Sequence, residues 1–555
     1  MPGNVVALFS VFNYADFGVA CFLAQLTLAL PLMLVLAALA TSWRAIPQVY
    51  AWWLAQGSSL LAVATALLSW IYVWGNDAAI GVAGSWLPNI RLDTLSSLML
   101  ALTGFLAWVI LRYSRNYLAG DQSIARYLHW LCLTVATVWL LVTSNNLLFV
   151  CLAWTASSLA LHQLLVFYKD RPAAQLAAHK KFLISRAADV FTLTACLMLY
   201  LSLGTLEIDR IMALLSHSRQ TDWPVQIAAL LFVFSAILKC AQLPLHGWLL
   251  QVMEAPTPVS ALLHAGIVNI GGFILLRLSG LLELAPIAQL MLVVVGSITA
   301  MLAALVMMTR ISVKVMLAWS TCAQMGLMLL EIGLGAYSMA LLHLLAHSLY
   351  KAHAFLNAGE TVSRQRMLGI APATHLLSPI QIGFSLVGVA LSLVLTSMLI
   401  GLDPRQDPVL WVFGLVLICS LLPMVNSPFE SRGWSQVMLL VGYGFGLSLL
   451  YGIWHLVFGH LLASSSMPPS LFGIGFACAC LIGLLLIQYI VLNRPQGDLS
   501  RWLHPRAFAG FHLDEFVTHL TLKIWPTRLL VVARGSQLSA PHAALKKRKN
   551  DVVSS

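Results

Sequence analysis

The feature that most constrains the fold of this chain is a series of apolar runs, each about 20 residues long, that follow one another along most of its length. A run of that length crosses the hydrocarbon core of a bilayer as one helix. Backbone groups in lipid must pair within the protein, and the runs lack the alternation typical of barrel strands. With 60% hydrophobic and only 9% charged residues, the sequence predicts an all-α polytopic membrane protein.

We expect about 15 transmembrane helices, within a range of about 14 to 16. The expected spans lie at about 17–41, 51–74, 92–112, 127–143, 146–168, 182–203, 225–250, 258–282, 286–308, 312–332, 336–358, 378–401, 409–426, 436–460 and 470–492. No cleavable signal peptide is expected, because the N-terminal stretch lacks a basic region and leads into a run that is long enough to span.

The distribution of charge predicts the orientation of the helices. Loops after odd-numbered spans are rich in basic residues such as Arg115 and Lys181, whereas even-numbered loops hold acidic residues such as Asp209 and Glu331. The positive-inside rule then places the N-terminus outside and the C-terminus, with its KKRK at 546–549, in the cytoplasm. The net charge of +11 is explained by this orientation, and the sequence contains no aromatic-basic module for nucleic acid.

Neither the cysteines nor the histidines predict a cofactor in this chain. The nine cysteines form no CxxC pair and lie mostly within apolar runs, so we interpret them as small core residues. A zinc site needs three or four converging ligands, and the candidates are dispersed. We therefore expect no metal or cofactor here.

The stretch KCAQLPLHGWLLQVMEAPTPVSALLH, residues 239–264, combines a lysine, histidines and prolines inside apolar sequence. A charge near the bilayer centre costs roughly 2.5–3.5 kcal/mol on insertion scales, so such residues usually face a protein interior or a water path. Lys239 is therefore expected to be functional. Pro244, five residues later, predicts a break in the helix that carries it.

Several stretches resemble the proton-translocating, antiporter-like subunits of respiratory complex I (its L-type subunit), Mrp cation/proton antiporters and membrane hydrogenases. They are RLDTLSSLMLALTGFLAWVILRYSRNYLAGD, KKFLISRAADVFTL, KCAQLPLHGWLLQVMEAPTPVSALLHA, KVMLAWSTCAQMGLMLLEIGLGAYSMALLHLLAHSLYKAHAFLNAG and FHLDEFVTHLTLKIWP. The resemblance covers about 90–360 plus this last segment and is weaker over about 370–490.

The resemblance implies two inverted-topology repeats of about five helices, each with a broken helix near the bilayer midplane. It divides the chain into units, which we place at 1–120 (N-terminal helices), 121–284 (first repeat), 285–430 (second repeat), 431–492 (C-terminal helices) and 493–555 (amphipathic segment and basic tail). The amphipathic segment is expected either to cap the bundle or to dock a partner subunit, and residues beyond about 535 are expected to be disordered.

In the first half, the resemblance assigns to Lys239 a switch between proton loading and release, driven by a moving carboxylate. Asp189 matches the family's acidic position, and Arg186 precedes it by three residues. Asp189 is therefore interpreted either as a structural partner of Arg186 or as the carboxylate that tunes Lys239. His264 matches the histidine of the SALLHA string and is expected on the proton path.

In the second half, Lys314, His343, His347 and Lys351 match the family's relay residues. The last three are spaced i, i+4, i+8, so they are expected to lie along one face of a helix and to pass protons. Lys314 lies near a helix end, where it could instead extend its ammonium group to the membrane surface.

Three departures from the family pattern bear on the function of this chain. Thr155 stands where the family has a glutamate, so the usual carboxylate partner of Lys239 is absent, and Asp189 or Glu254 is expected to replace it. The family's charged residue near the end of the second broken helix has no counterpart in LVGVALSLVLTSMLIGLDPRQDP. We also expect no counterpart of the long lateral helix of the complex I subunit.

With these departures, the chain resembles the membrane subunit of DAB-type inorganic-carbon accumulation complexes. The resemblance implies a bacterial inner-membrane protein that conducts protons or sodium and drives a large cytoplasmic zinc partner similar to carbonic anhydrase, of the DabA type. Such a chain is not an enzyme by itself. Two alternatives stay open at this point: a subunit of a respiratory, hydrogenase or Mrp-type complex, and a non-conducting anchor for a cytoplasmic enzyme.

Overall fold

The structure is a computed structural model that describes residues 3–43, 47–76, 79–82, 89–217, 222–361, 379–401, 409–421, 434–458 and 470–526. The predicted disorder beyond about residue 535 and the basic KKRK at 546–549 lie outside these ranges.

In the described part, the chain forms 21 α-helices and one two-stranded hairpin. The elements of the first half are α1 (Gly3–Ser42), α2 (Gln48–Asn76), β1 (Ile80–Val82), β2 (Ile90–Leu92), α3 (Thr94–Tyr117), α4 (Ile124–Thr143), α5 (Leu147–Leu165), α6 (Pro172–Leu203), α7 (Ile208–His217), α8 (Trp223–Lys239), α9 (Gly247–Gln251), α10 (Thr257–Ala265), α11 (Ile270–Arg277) and α12 (Ser279–Glu283). Those of the second half are α13 (Pro286–Met307), α14 (Val313–Gly333), α15 (Tyr337–Leu356), α16 (Pro379–Ile400), α17 (Val409–Leu421), α18 (Trp434–Phe458), α19 (Leu471–Asn493), α20 (Asp498–Phe508) and α21 (Glu515–Ile524).

Each predicted span coincides with one described helix or with a run of two or three shorter ones, which confirms the all-α polytopic membrane fold. Eleven helical segments are long and apolar enough to cross a bilayer, and three shorter apolar helices accompany them. α15 completes the set. It carries four polar titratable residues, His343, His347, Lys351 and His353.

Local sequence signals explain where several helices begin and end. The Asp93 carboxylate accepts a hydrogen bond from the backbone N–H of Ser96 at 2.8 Å and so caps α3. Asn146 caps α5 in the same way. Pro172 opens α6, where its missing N–H costs nothing, and Gly204 ends that helix with φ at 69°.

The hairpin of β1 and β2 marks one end of the bundle, which we call the hairpin end. The two strands pair antiparallel. A backbone bridge between Asn146 and Glu207 brings the start of α5 and the segment after α6 to the same end. Since α6 finishes near the hairpin end, its first turns lie at the opposite end.

Helices α20 and α21 pack at that opposite end, which we call the tail end. Arg310, just after α13, donates from its guanidinium to the carbonyl oxygen of Ala507 at 3.2 Å. Lys180, near the start of α6, pairs with Asp514 at 2.6 Å. The amphipathic segment therefore caps the bundle, as one of its two interpretations predicts, and docking of a partner on it stays a prediction.

The helix break predicted at Pro244 is present. α8 ends at Lys239, and the chain then turns, with Ala241 at a φ of 52°, before α9 begins at Gly247. Side chains hold the break: Gln242 donates to the carbonyl of Cys240 at 3.0 Å, and Thr299 accepts from the backbone N–H of Leu243 at 3.3 Å. A polar, non-helical segment thus lies inside the bundle.

In the second half, α16 lies in the stretch that the resemblance assigns to the second broken helix, and it is continuous from Pro379 to Ile400. Residues 402–408, at the end of that stretch, lie outside the described part. The division into two inverted repeats and the unit boundaries stay predictions.

Two glycines allow α13 and α14 to pack backbone against backbone. A Cβ atom at Gly296 would lie 2.6 Å from the carbonyl oxygen of Gly326, and one at Gly326 would lie 2.7 Å from the backbone nitrogen of Ala300. Small residues at helix contacts are a common basis of packing in membranes. This close contact fixes α14, and with it the side chains that α14 presents to α15.

Gly326→Leu is expected to lower the free energy of unfolding by about 1–3 kcal/mol, because the added side chain must push the two helices apart. The measurement is unfolding of the purified chain in detergent. Gly446→Leu on α18 is the matched control, since nothing lies within 4 Å of a Cβ there. Equal effects of the two substitutions would contradict the close packing.

Candidate functional site

The centre of the first half is an ion pair between Lys239, the last residue of α8, and Asp189 on α6. The Lys239 ammonium donates a hydrogen bond to Asp189 Oδ1 at 2.6 Å. The side chains are only 7% and 9% exposed, so the pair is shielded from bulk solvent. The Lys239 Nζ atom also lies 3.7 Å from the centre of the Trp154 ring, within the range of a cation–π interaction.

The carboxylate of Asp189 is shared between two cations. Its second oxygen, Oδ2, lies 2.8 Å from Nη2 of Arg186, one turn earlier on α6. The two interpretations of Asp189 from the sequence therefore coexist, because one carboxylate contacts both Arg186 and Lys239. A small rotation of the Asp189 side chain would favour one partner over the other.

A third cation, Lys181, lies near this pair. Its ammonium group is buried and donates to the carbonyl and hydroxyl oxygens of Ser158 at 2.8 and 2.9 Å. Lys181 interacts electrostatically with Lys239, Arg186 and Asp189. Three basic side chains thus lie near one carboxylate, so the electrostatic free energy of the cluster changes with each proton gained or lost.

The structure also shows how the chain compensates for Thr155. The preceding residue, Trp154, contacts Lys239 through its ring, while the carboxylate comes from α6 through Asp189. Glu254 takes no part in this pair. It lies in the turn after α9, its side chain is 44% exposed, and it pairs with Arg171 at 3.5 Å. Of the two expected carboxylates, the structure brings Asp189 to Lys239.

Three of the four residues predicted as a relay in the second half, His343, His347 and Lys351, lie along one face of α15, as their spacing predicts. The rings of His343 and His347 are 6.1 Å apart between centroids, and both side chains are largely buried. Lys351 is fully buried, and its ammonium group donates to the carbonyl oxygen of Leu317 on α14 at 3.0 Å.

The side chain of His264 on α10 packs against α15. Its Nδ1 lies 3.1 Å from the hydroxyl of Thr321, and its ring stacks on Phe355 with centroids 4.4 Å apart. Among the described residues, the buried Nε2 atoms of His264, His343 and His347 have no hydrogen-bond partner in the protein. Three imidazole nitrogens are therefore available to exchange protons.

Lys314 lies apart from this face. It is the second residue of α14, only partly buried at the tail end, and its ammonium group donates to the hydroxyl of Thr257 at 3.0 Å. This position agrees with the interpretation of Lys314 as a helix-end lysine.

Glu331 is a residue that the sequence interpretation missed. The charge pattern placed it in an even-numbered loop, but α14 continues to Gly333, and the Glu331 side chain is 8% exposed. The turn after Gly333 brings α15 back antiparallel, so that Glu331 Oε1 lies 2.9 Å from His343 Nδ1. Its position within the predicted apolar run 312–332 was the signal that could have identified it.

The described residues hold no group of three or more His, Cys, Asp or Glu side chains that could bind a metal ion. What the arrangement provides is a set of buried titratable side chains beside a broken helix. Such a set can bind, hold and pass protons.

Comparison with known proteins places this arrangement in a family. Residues 144–398 match the family described as "NADH:quinone oxidoreductase/Mrp antiporter, TM", and residues 87–128 match "NADH-Ubiquinone oxidoreductase (complex I), chain 5 N-terminus". The chain is 42% identical to "Probable inorganic carbon transporter subunit DabB" of Hydrogenovibrio crunogenus, over 94% of this chain and 98% of the relative. The chain belongs to the antiporter-like membrane subunit family.

Two further relatives show how far the similarity extends. "Probable inorganic carbon transporter subunit DabB2" of Halothiobacillus neapolitanus is 35% identical over 91% of this chain and 94% of the relative. NADH-quinone oxidoreductase subunit L of Rhodobacter capsulatus is 36% identical, but over 53% of this chain and 43% of the relative. The full-length similarity is thus to carbon transporter subunits, and the respiratory similarity is partial.

A solved structure agrees on the fold. A chain in the Mrp complex from Dietzia sp. DQ12-45-1b superimposes with a TM-score of 0.57 at 23% identity, over 93% of this chain and 63% of that chain.

The buried ion pair predicts strong energetic coupling between the side chains of Lys239 and Asp189. Asp189→Leu alone is expected to lower the free energy of unfolding by about 3–5 kcal/mol, because it leaves Lys239 buried without its carboxylate. The double variant Asp189→Leu/Lys239→Met is expected to recover most of this loss, because only Arg186, whose side chain is 29% exposed, then lacks its carboxylate. The measurement is a double-mutant cycle of unfolding in detergent.

The control is Glu254→Gln, which removes a solvent-exposed pair and is expected to cost roughly 0–1 kcal/mol. Additive effects of Asp189→Leu and Lys239→Met would show that the two side chains are not coupled.

Proposed function

We propose that this chain is the cation-conducting membrane subunit of an energy-coupled inorganic-carbon uptake complex, with the proton as its cation. The observation that carries the proposal is the shielded Lys239–Asp189 pair at the end of a broken helix. A buried ammonium group of this kind is costly to keep, and a carboxylate shared with Arg186 can change how strongly it is held.

The chemistry of the site supports a proton rather than a metal cation. Broken helices coordinate sodium through free carbonyls at the C-terminal end of a half-helix. In this chain that end is the end of α8, where the ammonium group of Lys239 already supplies the positive charge. The second-half face likewise presents imidazole and ammonium groups, which exchange protons.

Energy for carbon uptake would come from the movement of charge. One elementary charge crossing 100 mV supplies about 2.3 kcal/mol, which is enough to bias a hydration equilibrium in one direction. Two relatives similar over nearly their whole length are named as inorganic carbon transporter subunits, which supports a multi-subunit complex.

The reaction itself would take place on a large cytoplasmic zinc protein similar to carbonic anhydrase. Zinc lowers the pKa of a bound water to about 7 and so supplies hydroxide for attack on CO2. We place the complex in a bacterial inner membrane, with the C-terminus of this chain in the cytoplasm.

Lys239→Ala is expected to reduce inorganic-carbon uptake by roughly 100-fold while leaving the complex assembled, because a proton-transfer group is lost without a change on the surface. Uptake is measured with labelled bicarbonate and CO2 in cells that depend on the complex. Lys169→Ala, at an exposed lysine, is the control and is expected to behave as the wild type.

Unchanged uptake and assembly in Lys239→Ala would favour the anchor without conduction. Copurification tests the other alternative, a subunit of a respiratory, hydrogenase or Mrp-type complex. A zinc-containing partner supports the carbon uptake complex, whereas respiratory partners or several antiporter-like partners would contradict it.

Glu331→Gln is expected to lower uptake by about tenfold, because His343 loses the carboxylate that lies 2.9 Å from its Nδ1. The same cells serve for this measurement. Glu360→Gln, at an exposed glutamate after α15, is its control. Wild-type uptake in Glu331→Gln would remove this residue from the path.

A further inference from the structure

The amphipathic segment contributes a carboxylate to the interior of the bundle. Asp514, just before α21, accepts a hydrogen bond from the Lys180 ammonium group at 2.6 Å. Lys180 also donates to the hydroxyl of Thr518 on α21 at 2.6 Å. The Lys180 side chain is fully buried, whereas the Asp514 side chain is 25% exposed. Asp514 therefore connects a buried cation with the solvent at the tail end.

The second oxygen of Asp514 points at the broken helix. Its Oδ1 is buried without a hydrogen-bond partner among the described residues, and a Cβ atom at Gly247 would overlap it. Glycine at this position, the first residue of α9, lets the carboxylate approach the backbone closely. His246, the preceding residue, is buried and interacts electrostatically with both Asp514 and Lys180.

Helix α6 links Asp514 to the Lys239 pair. Lys180 is followed by Lys181, which interacts electrostatically with Lys239 and Asp189. One helix thus carries a series of titratable groups from the tail end to the ion pair. The segment is fixed against this helix by a second contact, in which Trp525 stacks on His179 with ring centroids 3.9 Å apart.

We propose that Asp514 is the tail-end proton relay of the path through Lys239, so that the C-terminal segment is part of the conducting structure and not only its cap. In the step proposed, the Lys180 ammonium gives its proton to the Asp514 carboxylate along their hydrogen bond. This leaves a neutral amine and a carboxylic acid. The acid then loses this proton from Oδ2 to solvent at the tail end, and the Lys180 amine takes up the next proton from the path through Lys239. The inference rests on the proposed function, since it needs a proton path through Lys239.

The competing explanation is that Lys180 and Asp514 only hold the C-terminal segment on the bundle, which we call a clamp. A double variant that keeps a hydrogen bond but removes both charges, called the neutral pair, separates the relay from the clamp. In Lys180→Gln/Asp514→Asn the two amides can still hydrogen-bond, and no charge is left buried alone. A clamp would survive this change, but a relay would not, because an amide cannot carry the proton. Glu515→Gln is the matched control, since Glu515 is the next residue, is 63% exposed and pairs only with the exposed His512 in the described part.

The experiment uses proteoliposomes that contain the chain with its copurified partner. A potassium diffusion potential drives protons inward, and an internal pH-sensitive dye reports the flux per assembled complex. The neutral pair is expected to assemble and to lose about tenfold or more of the flux. Asp514→Glu, which keeps a carboxylate, is expected to retain at least about half of it, and Glu515→Gln all of it.

Wild-type flux in the neutral pair would overturn the relay. Loss of assembly in the neutral pair, with assembly intact in Asp514→Glu, would assign Asp514 to a clamp and overturn it as well. Lys239→Ala in the same assay identifies which proposal fails. Flux that does not depend on Lys239 refutes the proposed function, whereas flux that depends on Lys239 but not on Asp514 refutes only the relay.

Discussion

The ion pair between Lys239 and Asp189 is the interaction around which the first half is built. An ammonium group inside the membrane is tolerated only where a counter-charge and polar surroundings exist, and here α6 supplies the carboxylate and α5 the ring of Trp154. Helix α8 ends at Lys239, and Gln242 then holds the turn before Pro244 by donating to the carbonyl oxygen of Cys240.

The two halves place their titratable residues toward opposite ends of the bundle. In the first half, α6 carries them from Asp189 to Lys180 and Asp514 at the tail end. In the second half, α15 carries them from Lys351 to His343, and Glu331 completes the series near the hairpin end. Close packing of Gly296 against Gly326 fixes the helix that presents Glu331. The contact that packs α13 against α14 thus also positions Glu331 beside His343.

Much of this could be predicted from the sequence, because membrane helices and buried charges leave strong local signals. The spans, the break after Lys239 and the shared face of His343, His347 and Lys351 follow from run length, a proline and helical spacing. Contacts between distant segments leave no such signal. The choice of Asp189 over Glu254 depends on which helix faces α8. Likewise, Asp514 meets Lys180 only because the C-terminal segment folds back on α6.

The most direct test asks whether the ion pair conducts or only stabilises. The variant Asp189→Leu/Lys239→Met replaces both charges with apolar groups and is expected to fold and assemble. Potential-driven proton entry into proteoliposomes that contain this variant with its partner should fall to the level of empty vesicles. Proton entry at the wild-type rate in a fully assembled double variant would contradict the central claim and would leave the pair a structural role alone.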